Sequence, residues 1–312
     1  EQHRIVSKVD ELMGLCDRLE AVQGERRGVR VRLNRSSLDR LTSVSGVGAR
    51  QRGSELSAAW QRVCDHFEVL YDTPETLPDL RQTILQLAVQ GKLVPQDPND
   101  EPAEELVKHV RKERSQLHAA KEIKKPRTVT PITKSDTPFA VPHGWIWTRL
   151  IDVIDPRSTI SYGVLVPGPD VDDGIPFVRV QDLSVDNPAV RPNKTIDKSV
   201  EAAYARTRLE GGEVLLTVVG ATIGKIGVAP EHWKGANIAR AICRLAIASN
   251  IDRDFIVALL QSPLVRCNFQ EATRTLAQPT LNVAQICDEL IPLPPLSEQK
   301  RIVSKVTHLL SQ

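Results

Sequence analysis

Apolar side chains recur through the first twenty residues at spacings of 4, 3, 4 and 3, at Ile5, Val9, Leu12, Cys16 and Leu19. That is an a/d seam of about two heptads, the pattern of a helix lying along a partner helix. The helix is expected to run from about Gln2 into an arginine-rich stretch, with Gly24 and Gly28 as weak points. Ser43 to Gly53 has three glycines and no helical stripe and is expected to be a loop. Leu56, Trp60, Val63, Phe67 and Leu70 mark a second amphipathic helix, broken at Asp72-Thr73-Pro74. A third is expected over Pro78 to Gln90, with the stripe Leu77, Leu80, Ile84 and Leu87 and with Gly91 as its C-terminal stop. After a turn-rich joint at Pro95 to Pro102, a charged helix is expected over Ala103 to Glu122. Lys124 to Pro142, with four prolines, reads as a linker.

Gly144 opens a globular domain. Trp145-Ile146-Trp147 begins a strand, and β-branched runs follow at Ile175–Val180, Val214–Val219, Ile223–Val228 and Ala241–Ala248, separated by glycine-bearing turns. A helix is expected over Arg253 to Gln261, and a more polar one after Pro263. The fold class expected is α+β, a mixed β-sheet domain joined to long coiled-coil-like helices. Its parts would be a helical spacer (1–94), the charged helix and linker (95–143), the globular domain (144–290) and the start of another helix (291–312).

That last helix repeats the first. Glu298-Gln299-Lys300-Arg301-Ile302-Val303-Ser304-Lys305-Val306 matches Glu1-Gln2-His3-Arg4-Ile5-Val6-Ser7-Lys8-Val9 at eight of nine positions. Ile302, Val306 and Leu309 keep the seam in phase. The offset of 297 residues is far beyond a solenoid period, so each repeating unit should be a domain plus a helix. The prolines of the preceding Ile291-Pro292-Leu293-Pro294-Pro295-Leu296 cannot be helical interior, and Ser297 is a fair N-cap. With no Met at position 1 and both ends inside one repeated motif, the sequence is expected to be cut from a longer chain.

The run Pro292-Leu293-Pro294-Pro295-Leu296-Ser297-Glu298-Gln299-Lys300-Arg301-Ile302-Val303 resembles the segment that closes a target-recognition domain in the specificity (S) subunit of type I restriction-modification enzymes. Glu1–Glu20 is similar to that family's conserved helix, and Leu80-Arg81-Gln82-Thr83-Ile84-Leu85-Gln86-Leu87 through Val94 to the close of its central helical region. Gly144-Trp145-Ile146-Trp147, Ile175-Pro176-Phe177-Val178-Arg179, Gly220-Ala221-Thr222-Ile223-Gly224-Lys225, Asn237-Ile238-Ala239-Arg240 and Thr280-Leu281-Asn282 resemble its recognition-domain landmarks in order. Ser161-Tyr162-Gly163 departs from the Gly-Lys-Thr-Pro-like loop of many members. The resemblance implies a non-catalytic reader of one half of a split target in double-stranded DNA. Its helices would dock methyltransferase (M) subunits and, through the complex, a restriction (R) motor subunit. S-adenosylmethionine, ATP and Mg would sit on those partners, and the chain itself would carry no cofactor. Self-association through the helices is a further expectation.

Composition is compatible with this reading. Hydrophobic residues make up 41% and charged residues 26%, and no apolar run approaches the ~18 residues of a membrane span. Five cysteines without a CxxC pair suggest reduced, buried thiols in a cytoplasmic protein and no zinc site. Net charge is only +2, but it is clustered. Arg26, Arg27, Arg30, Arg32, Arg35 and Arg40 crowd one stretch, and Lys108 to Arg127 holds eight Lys/Arg against two Glu. The globular segment 144–290 carries 15 basic and 17 acidic residues, so DNA contact there must come from local loops. That balance leaves a second reading open, a helical scaffold whose globular part binds protein.

No motif carries bond-making chemistry. Gly220 to Lys225 has three residues between its glycines and Ile226 where a phosphate-binding loop needs Ser or Thr, so it reads as a tight hairpin. Asn187-Pro188-Ala189 is not the tetrapeptide of an adenine methyltransferase, and Asp79 with Glu122-Ile123-Lys124 does not make a nuclease. Asp170, Asp172 and Asp173 lack the calcium-loop pattern. The remaining polar residues on loops and strand ends are Ser161, Tyr162, Arg179, Gln181 and Asp182 in one part, and Thr222, Lys225, Asn237, Arg240 and Arg274 in another. Arg forks on to guanine, Gln or Asn on to adenine, and Asp accepts from cytosine, so these are the candidates for major-groove readout.

Overall fold

The computed structural model describes residues 1–43, 58–71, 74–127, 130–273 and 279–311. The expected loop at 44–53, the start of the second helix at Leu56, the Asp72-Thr73 break and Arg274 lie outside them. The chain divides into two compact units, Glu1–Leu87 and Ala88–Gln312.

In the first unit, helix α1 (Gln2–Ser43) is unbroken through Gly24 and Gly28. At ~1.5 Å per residue its 42 residues extend ~63 Å. Its last turns bury Leu38 and Leu41 with Ala59, Val63, Leu70 and Leu87, drawn from helix α2 (58–65), helix α3 (Phe67–Leu70) and helix α4 (Leu77–Val89). The seam behaves differently. Ile5, Val9, Leu12, Cys16 and Leu19 are exposed, Ile5 at 59%, and no partner helix covers them among the described residues. Heptad spacing marks a face that would pack, but whether it packs depends on what lies opposite.

The second unit is α+β. Helix α5 (Ala103–Ala119) buries Leu106, Val107, Val110 and Leu117, and Arg111 holds the buried Asp152 through bonds of 3.0 and 2.7 Å. The proline-rich stretch lies along the same unit, with Phe139 O accepting the Trp147 indole N–H. Strand β1 (Ile146–Arg149) pairs antiparallel with β9 (Leu290–Leu293), Trp147 opposite Pro292. The proline run therefore closes the domain as a strand, which a two-stranded ribbon permits because its outer edge needs no N–H donor.

Between these ends lie two further sheets. In the first, β2 (Ser161–Tyr162), β8 (Ile242–Leu245), β5 (Val214–Thr217) and β6 (Ile226–Val228) are antiparallel neighbours in that order. In the second, β3 (Ile175–Val178) lies between β4 (Thr195–Ile196), which precedes helix α6 (Lys198–Ala202), and β7 (Asn237–Ile238). Leu215, Ile238, Ile242 and Trp233 fill the core between them. The strand expected over Ile223–Val228 starts only at Ile226, because Gly224 turns the backbone with φ 86. Helices α7 (Arg253–Gln261), α8 (Pro263–Thr273) and α9 (Val283–Asp288) follow, and α7 buries Phe255, Ile256, Leu259 and Leu260 completely.

Helix α10 (Leu296–Leu310), the second copy of the repeat, packs on α7 with Ile302 and Val306 buried and Leu309 half-buried. Its Glu298 is 1% exposed and accepts from Trp145 Nε1 at 2.9 Å and Gln96 Nε2 at 3.2 Å. Gln299 accepts from Asp252 N at 2.8 Å and donates to Pro294 O at 2.8 Å, while Arg301 pairs with Asp100 at 2.6 Å. Replacing Glu298 with Ala would orphan the buried indole N–H and is expected to cost ~2–3 kcal/mol in urea unfolding, with Glu298→Gln recovering most of the loss. Equal stabilities would contradict the clamp.

Glu289 offers a pH readout. Burial pushes its carboxyl up to about 7, partly offset by a bond from Asn268. A raised folded pKa means that stability is full below the ordinary glutamate value and is lost as pH rises towards 7. Glu289→Gln should therefore be the more stable protein at pH 8, by up to ~3 kcal/mol, and should flatten the profile between pH 4.5 and 7. A wild-type profile already flat across that window would contradict the burial argument.

Candidate nucleic-acid interface

Parallel pairing decides which loops meet. Strand β3 runs parallel to β7, Phe177 opposite Asn237 and Val178 opposite Ile238, and Val164 forms a parallel bridge with Ala239. Val164 N donates to Ile238 O at 2.8 Å, Ala239 N to Val178 O at 2.9 Å and Arg240 N to Val164 O at 3.0 Å. Three segments thus run side by side in one direction, and the chain beyond each emerges at a common edge. Gly163 makes this approach possible, since a Cβ there would stand 1.8 Å from Ile238 O.

Leu165 and Val166, 52% and 71% exposed, emerge from the first segment, Arg179 to Asp182 from the second and Arg240 from the third. Lys225 Nζ donates to Val180 O at 2.9 Å, which draws the Gly220–Lys225 turn, with exposed Thr222, to the same edge. That turn joins β5 to β6 in an antiparallel hairpin, as its glycines suggested.

An open cleft of about 500 Å³ lies beside Arg240, lined among others by Ser161, Tyr162, Leu165, Tyr204 and Arg206. Tyr162 donates its hydroxyl to Leu281 O at 2.8 Å, and burial pushes its pKa up, so its ring rather than its O–H is what it can offer a ligand. Tyr204 and Arg206 did not stand out in the sequence. The available signal was an aromatic and a guanidinium two residues apart, a pair that can stack on or fork to a nucleotide.

The sequence-derived candidates therefore regroup. Ser161, Tyr162 and Arg240 belong to the cleft, and Arg179, Gln181, Asp182, Thr222 and Lys225 to the adjoining turn cluster. Arg274 lies outside the described residues. Three candidates are corrected. Asn237 is fully buried and committed, accepting from Thr207 Oγ1 at 2.8 Å and donating to Tyr204 O at 3.0 Å and Glu201 at 3.2 Å. Asp182 is buried and accepts from Arg179 N at 2.7 Å, fixing the turn rather than facing outward. Ser161 is 9% exposed, and its hydroxyl turns back towards Thr159 O. A single sequence cannot separate an amide that reads bases from one that braces strands.

The remaining charges near the site are structural. Glu201 is held below the usual glutamate range by Arg208, which bonds both its oxygens. The half-buried Arg244 pairs with the buried Glu213 at 2.9 Å. Among the described residues no three His, Cys, Asp or Glu side chains converge on a metal position. Asp170 accepts from Thr195 N at 2.9 Å, and Asp79 lies 3.4 Å from Arg35. Of the five free thiols Cys243 and Cys287 are buried, whereas Cys16, Cys64 and Cys267 are exposed, contrary to the expectation of uniformly buried thiols. No helix among the described residues is long and apolar enough to cross a membrane.

Residues 170–312 match the family model described as the type I restriction modification DNA specificity domain. The chain is similar to two Escherichia coli proteins, the type I restriction enzyme EcoEI and EcoAI specificity subunits. It is 31% identical to the first over 98% of this chain and 51% of that protein, and 29% identical to the second over 99% and 52%. It thus spans about half the length of these curated relatives. Similar solved structures include the HsdS subunit from Thermoanaerobacter tengcongensis (TM-score 0.41, 21% identity, 75% of this chain and 51% of that one). Another is the type I restriction-modification S subunit from M. genitalium (TM-score 0.38, 12% identity, 76% and 52%).

Inward and outward polar residues should separate on substitution. Asn237→Ala is expected to lose ~2–4 kcal/mol in chemical unfolding, because it removes the buried amide that bonds Thr207, Tyr204 and Glu201 together. Arg240→Ala, at an exposed position, should change stability by less than ~0.5 kcal/mol. The reverse order would contradict the assignment.

Proposed function

We propose that this chain, whose residues 170–312 match the type I restriction modification DNA specificity domain, reads one half of a bipartite duplex target and catalyses nothing itself. The observation that carries this reading is the convergence of outward donors on one edge. Gln181, Thr222, Lys225 and Arg240 extend from loops held by the parallel pairing of β3 with β7, and Arg206 and Tyr204 line the cleft beside them. Guanidinium and carboxamide groups can each make two bonds to a purine edge, which is how base identity is told apart in the major groove. Arg179, half-exposed and 3.8 Å from Asp182, would add a phosphate or base contact at the turn.

Methyltransferase and motor subunits would supply S-adenosylmethionine, Mg and ATP, and the helices would be where they dock, inside the cytoplasm. The slightly acidic balance of 144–290 favours the competing reading of a protein-binding scaffold. The two differ in salt dependence, because phosphate contacts release counterions and give a steep fall of affinity with salt.

Selection of duplexes from a random pool by the purified chain is expected to enrich one short motif. Arg240→Ala or Gln181→Ala should relax one or two positions of that motif by ~1–3 kcal/mol each while leaving the others intact. A pool that stays random after repeated rounds with wild-type protein would contradict the reading.

A further inference from the structure

Helix α1 carries a cationic stretch that the readout edge does not use. Between Arg26 and Arg40 stand six arginines, no lysine and one carboxylate, Asp39. A rise of ~1.5 Å per residue spreads them over ~21 Å. Arg26, Arg27, Arg32 and Arg40 are exposed, and none of these four pairs with a carboxylate among the described residues. The helix turns Asn34, Leu38 and Leu41 inward, so these arginines do not serve its core contacts.

Their heptad phase matters. The positions occupied by Ile5, Leu12 and Leu19 are continued by Arg26, Leu33 and Arg40, so one stripe is apolar for its first half and carries arginine at two of its next three positions. A partner helix covering the whole stripe would have to bury guanidinium groups at a large desolvation cost unless each met a carboxylate. A polyanion meets no such cost. Arginine forks on to phosphate oxygens, and the charge density of a duplex exceeds that of ordinary protein surfaces.

We propose that the Arg26–Arg40 stretch of α1 is a sequence-independent contact for the sugar-phosphate backbone of duplex DNA. It rests on the reading above only in that both units would contact duplex DNA.

The test measures affinity against salt for the full chain on duplexes of random and of selected sequence. One variant replaces Arg26, Arg27, Arg32 and Arg40 by Gln, a residue of similar helix propensity, and a second replaces them by Lys. With circular dichroism confirming an intact helix, the Gln variant is expected to lose ~3–4 units of salt slope and to bind roughly 100-fold more weakly near physiological salt, equally on every sequence. The Lys variant should keep the slope. An unchanged slope in the Gln variant, or a loss confined to the selected sequence, overturns the inference. If the wild-type chain selects no motif while the slope still falls, half-site reading is lost and the backbone contact stands.

Discussion

One buried carboxylate fixes where the globular domain begins and ends. Glu298 has its two oxygens on Trp145 and Gln96, side chains from the start of the globular fold and from the segment leading into it. The adjacent Gln299 ties down the start of α7 and the end of the proline run, and Arg301 reaches Asp100. Burial raises the carboxyl's pKa, so the site is electrostatically costly and is held by hydrogen bonds rather than by a compensating cation at contact distance. Chain entry, chain exit and the closing helix are therefore joined as one body, and the loops between them project from a fixed frame.

From that frame the candidate edge follows by topology. Among the described residues parallel pairing is confined to β3 with β7 and the bridge of Val164 to Ala239, yet it sends three loops out together. Gly163 is required because the backbones approach too closely for any side chain. The result is an edge where side chains of different chemistry stand side by side on short, braced connections. Such loops can differ in residue type without disturbing the sheets beneath them.

Much of this was legible in the sequence, through features with long-range redundancy. The repeat pointed to a closing helix, β-branched runs to strands, and Gly220 and Gly224 to a hairpin turn. What stayed hidden depended on contacts distant along the chain. Asn237 and Gln181 are alike as carboxamides, but one meets Thr207, Tyr204 and Glu201 inside the domain and the other is exposed. The candidate residues fell into different groups from those their order suggested, because β2 pairs with β8 and Lys225 reaches Val180. The seam shows the same limit most plainly. Ile302 and Val306 are buried on α7, while Ile5 and Val9, in the same local sequence, are exposed.

On the proposed reading, the edge formed by the parallel strand ends meets DNA, while the clamp around Glu298 only holds it. Hydrogen–deuterium exchange of the full chain with and without duplex DNA addresses this directly. Within the globular unit, protection is expected in 162–166, 179–182, 220–225 and 239–241, with exchange in 290–301 unchanged. Protection centred on 290–301, or absent from all four loops under saturating DNA, would contradict it.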